Sequence, residues 1–228
     1  MSYLTLDAAE IVRTIERLGR RIEERFPGSG LGQVCNQLLA TARLGSERAM
    51  AIARPILPLR IATVVLAVVI IAGIALMITR LRPPGDFELG QFIQVLEAGI
   101  NDLVLIGAAI FFLSTAETRI KRHRALRALH ELRAIAHIID MHQLTKDPER
   151  IFRQGTPTES SPQHRLSTFE LGRYLDYCSE MLSLTGKVAA LYVQEFNDGV
   201  ALQAVNEIED LTTGLSQKIW QKMMILVA

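Results

Sequence analysis

Apolar residues early in the chain keep a three- and four-residue rhythm, with Ile11, Ile15, Leu18, Ile22 and Phe26 on one side of a helix. The rhythm predicts a first helix from about Asp7 to Arg25, opened by Asp7 and Glu10 in the manner of a capping box and closed at Pro27. PGSGLGQ follows, and a second amphipathic helix is expected from about Leu31 to Ala53. The glycines there invite comparison with a phosphate-binding loop. They lack its Gly-Lys-Ser/Thr ending, do not keep GxGxxG spacing and follow no strand, so the expectation is a turn.

Then the rhythm disappears. Ile61 to Thr79, IATVVLAVVIIAGIALMIT, runs nineteen residues without a charge. As a helix it covers about 28 Å, against a hydrocarbon core of about 30 Å. A helix apolar on every side is expected to cross a membrane, and this one starts some sixty residues into the chain behind a charged segment, unlike a cleaved signal. A second uncharged run, Leu103 to Ala116, covers only about 21 Å. A crossing helix there must extend back to about Glu97 and take in Asn101 and Asp102. Between them, RLRPPGDFELGQ carries Pro83, Pro84 and Gly85, the chemistry of a tight reversal. The expectation is a hairpin with spans at about 58–80 and 96–117 and an outer loop at 81–95.

No breaker interrupts the second helix before about Leu144. KDPER then offers Asp147 as a cap and Pro148 as a first helical residue, and RQGTPTESSPQHR reads as loop. Ser167 and Glu170 form a capping box for a helix expected to run to Asn197–Gly199. A last helix sets Val205, Ile208, Leu211, Leu215, Ile219, Met223 and Leu226 on one face. Tyr174, Tyr177, Met181 and Tyr192 read as core and rim of this pair. Trp220 reads as core, with an interfacial anchor as the alternative. The fold class is therefore an all-α integral membrane protein: an N-terminal cytosolic helical pair at 1–55, a transmembrane hairpin at 56–118 and a C-terminal cytosolic helical domain at 119–228, assembled as an oligomer.

Charge adds an orientation. Arg43, Arg48, Arg54 and Arg60 precede the first span, and Arg119, Lys121, Arg122, Arg124 and Arg127 follow the second. Only Arg80 and Arg82 fall in the connection, so both termini are expected in the cytoplasm and the protein in an inner (plasma) membrane. A net charge of +1 with 21% charged residues provides no concentrated basic surface, and nucleic acid is not an expected partner. Cys35 and Cys178 stand far apart without a CxxC pair and are expected as reduced thiols. Without a Ser/His/Asp order, an HExxH or paired carboxylates in a pocket-forming context, neither catalysis nor a cofactor is expected.

The candidate chemistry lies on one stripe. HRALRALHELRAIAHIIDMHQL, residues 123–144, holds four of the five histidines. At about 100° per residue, Ala128, Leu129, Leu132, Ile135, Ala136 and Ile139 take one side and His123, His130 and His137 the opposite one. Successive histidines sit about 10.5 Å apart, so one helix cannot bring them to a zinc ion whose ligands lie about 2 Å away. The same histidine from several copies would make a ring, a sensor or metal site; a solvated face is the plainer reading. Projected backwards, Arg119, Thr115, Phe112, Asn101, Glu97 and Gln94 share the histidine side.

Around a symmetry axis this stripe runs from an acidic mouth through an apolar constriction at Leu105, Ala108 and Phe112 to an imidazole-lined end, the layout of a pore. Glu97 and Asp102 are ionisable groups at membrane depth, or else carboxylates at head-group level paired with Arg80 or Arg82. Two functions follow. One is a homo-oligomeric permeation protein for cations, with Glu97, Asn101, Asp102, Leu105, Ala108, Phe112 and Thr115 along the path and the cytosolic helices assembling or gating it. Several copies are required, since two helices cannot enclose water. The other is a membrane-anchored interaction or regulatory module that binds a cytosolic protein and transports nothing. Rings of histidine, titrating near pH 6.5, would add a pH response to the first.

Overall fold

In the computed structural model, which describes residues 5–80, 89–146, 148 and 166–227, Asp7 starts the fold. Its carboxylate accepts from the backbone N–H groups of Ala9 at 2.8 Å and Glu10 at 3.3 Å, donors that no helical carbonyl can reach, and α1 runs Ala8–Arg25. Glu10 does not return the favour; its carboxylate turns to Arg13 one turn on. Beyond α1, Gly28 takes φ +65°, a left-handed turn that a side chain would strain, and its N–H donates to Glu23 Oε1 at 3.0 Å. Ser29 Oγ then accepts from the Gly32 N–H at 3.2 Å as α2 opens, Gly30–Ala53. The glycine-rich stretch is spent on a turn and a cap.

Four further helices follow among the described residues: α3 Leu57–Arg80, α4 Leu89–Leu144, α5 Thr168–Ala190 and α6 Gly199–Val227. No strand occurs among the described residues. α4 begins inside the stretch expected as loop, because nothing after Pro84 and Gly85 breaks a helix. Asp147 and the expected loop at 153–165, with His164, lie outside the described residues. At α5 the capping box is complete: Ser167 Oγ accepts from the Glu170 N–H at 3.3 Å, and Glu170 Oε2 accepts from the Ser167 N–H at 2.8 Å. α5 stops at Ala190, short of the expected Asn197. The Tyr192 and Val193 N–H groups bond three residues back, to Ala189 and Ala190, and this tightening of the last turn frees 191–198 to reverse the chain.

The chain forms two packed units, one made of Met1–Ala53 and Arg122–Ala228, the other of Arg54–Lys121. In the first, α1 packs on α2 and α5, α2 on α5, and α5 on α6. Gly172 meets Leu226 while Gly186 meets Thr212, so α5 and α6 run antiparallel. The face of α4 expected to be core is buried at all of its positions, Ala128, Leu129, Leu132, Ile135, Ala136 and Ile139. Val205, Ile208, Leu215 and Ile219 do the same for α6, and Tyr174, Tyr177, Met181 and Tyr192 are buried. Trp220 is not: it is 62% exposed. Ile219 fills the core position, and the next residue is turned about 100° away from it.

Ion pairs stitch the surface of this unit. Arg21 forks onto Glu180 at 2.7 and 3.0 Å, tying α1 to α5, while Arg48 meets Glu131 at 2.8 Å and Arg133 meets Glu207 at 2.7 Å. Exposed pairs of this kind contribute about 0–1 kcal/mol each, so they fix register while the apolar core supplies stability.

Cys35 and Cys178 are both free and both buried. Burial pushes the Cys35 thiol up to about 11 and the Cys178 thiol up to about 12, so almost no thiolate exists at neutral pH. A maleimide at pH 7.5 is expected to leave both unlabelled in the folded protein and to label two thiols per chain after denaturation. Rapid labelling of the folded chain would contradict this packing.

Candidate functional site

The second unit is built almost entirely of apolar helix. Each of α3 and α4 contains a stretch long and apolar enough to cross a membrane, and none of either stretch is buried inside the protein. Among the described side chains, most of the covering falls on one stripe per helix. On α3 the half-buried residues are Leu59, Thr63, Leu66, Ala67 and Ile70, at three- and four-residue spacing. On α4, Ile106, Leu113, Ala116 and Glu117 are half-buried and fall within about 100° of one another.

Against that stripe the sequence-derived candidates separate. Glu97 and Asn101, about 40° apart, are exposed on the opposite side of α4, as are Ala108, Phe112 and Arg119. Leu105 is exposed at the edge of that side. Arg119 lies over the Phe112 ring, 5.7 Å from its centroid, a cation–π contact that holds the guanidinium along the same stripe. Thr115 departs from its neighbours: it is half-buried, and its hydroxyl donates to the Phe111 carbonyl at 2.9 Å. Asp102 departs further. Five residues from Glu97, it is turned about 140° away and shares the side of Ile106 and Glu117, although it is itself exposed. The side chain of Arg80 and the whole of Arg82, the partners expected for it, lie outside what the structure describes.

His123, His130 and His137 are all exposed, on the side of α4 away from its buried face. Arg127 Nη2 lies 3.2 Å from His123 Nε2, and the guanidinium can only donate in such a contact. Within one chain, no three His, Cys, Asp or Glu side chains among the described residues are grouped to hold a metal ion. His142 behaves differently, half-buried and 3.4 Å from Tyr174 Oη.

Two features were not read from the sequence. Glu117 is only 14% exposed and gathers three donors: Arg60 Nε at 2.9 Å, Lys121 Nζ at 2.9 Å and the Ile56 N–H at 3.2 Å. The four-residue spacing of Glu117 and Lys121 was visible in TAETRIK; the donors from the start of α3 were not. The second is a pocket of about 310 Å³ in the first unit, rimmed by Arg48, His123, Arg124 and Arg127. No protein-family model, no curated protein and no solved structure matches the chain.

Proposed function

We propose that the protein is a homo-oligomeric permeation protein for cations, seated in an inner (plasma) membrane with both termini in the cytoplasm. The observation that carries this reading is the division of α4: Glu97 and Asn101 on one side, the half-buried stripe of Ile106, Leu113 and Glu117 on the other. In this reading α3 and α4 form a hairpin whose half-buried stripes meet, so the polar side of α4 is left for neighbouring copies. Brought round an axis, Glu97 forms an acidic ring, Leu105, Ala108 and Phe112 a narrow apolar stretch and the histidines the cytosolic end. Carboxylate rings attract cations, and apolar constrictions gate by excluding water. Asp102, on the α3 side, is a hairpin residue rather than part of the path.

A second reading is favoured by Trp220 and Met224, both exposed and one turn apart on α6. An apolar pair on the helical unit suits a cytosolic protein partner, in which case the apolar helices only anchor the module. Mass separates the two, because the particle in lipid nanodiscs is expected to contain several chains if it permeates and one if it anchors. In liposome flux assays, Glu97→Gln is expected to lower cation flux severalfold and Asp102→Asn to change it little. Equal flux from wild type and Glu97→Gln, or a monomeric particle, rules out the permeation reading.

A further inference from the structure

We propose that the pocket between α2 and α4 binds the phosphate of an anionic phospholipid headgroup. Four polar side chains rim it: Arg48 from α2 and His123, Arg124 and Arg127 from α4. Its floor is apolar, from Ala51, Ile52 and Ala128. Arg48 is already partnered by Glu131. Arg124 and Arg127 are exposed, three residues apart on one helical face, and the ion pairs found among the described residues include neither. Arg127 Nη2 instead lies 3.2 Å from one ring nitrogen of His123, which offers a single acceptor site where an anion would offer several.

Such a site asks for an anion with several acceptor oxygens. A guanidinium binds phosphate through two parallel N–H donors, and two of them on adjacent turns can share one tetrahedral group. The apolar floor has nothing to offer a bare ion but suits the glycerol and first carbons of a lipid. Chain position favours the same source. Ile52 stands five residues before α3, and His123 seven residues after the end of the uncharged run at Ala116, so both are close in sequence to the apolar stretches. Basic pockets beside membrane helices on the cytoplasmic side are where anionic headgroups are held. This inference rests on the membrane reading, though not on permeation, and holds equally for an anchored module.

The test is native mass spectrometry of the full-length protein from detergent, titrated with phosphatidylglycerol or with phosphatidylcholine of the same acyl chains. Phosphatidylglycerol should be retained preferentially. Arg124→Gln with Arg127→Gln should weaken its retention roughly thirtyfold, about fivefold for each charge. Arg13→Gln with Arg43→Gln, which removes two exposed charges elsewhere, should leave it unchanged. Filling the pocket by Ala51→Leu should weaken retention with every charge in place, so an unstable double variant does not close the question. Equal retention of the two lipids, or phosphatidylglycerol binding indifferent to both pocket variants, overturns the proposal. So does binding of inorganic phosphate that the double variant abolishes, if phosphatidylglycerol is not preferred, since the ligand is then soluble. Release of the protein from membranes by alkaline carbonate overturns the membrane reading and this site with it. Lost lipid preference in a carbonate-resistant protein removes the site alone.

Discussion

Asp198→Ala is expected to destabilise the helical unit by about 3 kcal/mol, measured as urea unfolding of the full-length protein in detergent and followed by circular dichroism. Asp198 is 5% exposed and does two jobs at once. Its carboxylate takes a fork from Arg122, with Nε at 3.0 and 2.9 Å and Nη2 at 2.7 Å, and it accepts from the Ala201 N–H at 3.0 Å as the cap of α6. Losing a cap costs about 1 kcal/mol, and losing hydrogen bonds to a charged group about 1.5–3 kcal/mol. Arg122 is partly exposed and can rehydrate, which holds the total near the lower end of that sum. Asp198→Asn keeps the cap and should recover about 1 kcal/mol. Arg122 is the main reason the Asp198 carboxyl is held below the usual aspartate range, with the Ala201 N–H adding to it. A carboxyl with a lowered folded pKa contributes stability that is fully present above its unfolded value, about 3.9, and is lost as pH falls through the folded value. The wild-type protein and the alanine variant should therefore differ by a constant amount from pH 5 to 8, and the gap should shrink below about pH 4. A gap that persisted unchanged into acid would mean that the cap geometry, not the charge, carries the effect.

The same residue marks where sequence reasoning stopped. Periodicity located the buried faces of α1, α4 and α6, since burial imposes a 3.6-residue repeat that survives in the residue types themselves. Caps were legible for the same local reason, Asp7 and Ser167 acting on N–H groups two or three residues away. The end of α5 was not. LYVQEFN contains no breaker, yet the helix ends before it at Ala190, and the chain re-enters a helix only after Asp198, which is engaged by Arg122, 76 residues away in sequence. The pocket was hidden likewise: Arg48 and Arg127 counted only as charges near a membrane end until α2 and α4 were seen to line one cavity. Trp220 failed for a subtler reason, as an aromatic beside a core position is indistinguishable by type from one in it. On α4 the polar stripe was legible, yet the different placement of Glu97 and Asp102 needed the half-buried residues of α4 as a reference.

Glu117 carries the second large effect, and a double-mutant cycle with Lys121 isolates it. Lys121 is more covered than Glu117, its side chain 10% exposed, so removing the carboxylate leaves an ammonium with little access to water and the Ile56 N–H without an acceptor. Breaking a buried pair from one side costs about 3–5 kcal/mol, and the long lysine stem can relieve part of that by reaching outward. Glu117→Ala should therefore cost about 3 kcal/mol in thermal unfolding of the detergent-solubilised protein. Lys121→Met should cost less, about 1 kcal/mol, because Arg60 and the Ile56 N–H still satisfy Glu117. If the cost of the first variant is mainly the stranded ammonium, the double variant should lose about 1–2 kcal/mol less than the two single losses combined. Simple additivity would instead assign the cost to the ties that Glu117 makes with Arg60 and Ile56. Since those ties join the start of α3 to α4, additivity would predict a second consequence that the coupled outcome does not: Arg60→Gln alone should then reproduce much of the Glu117→Ala loss, despite the exposure of its guanidinium.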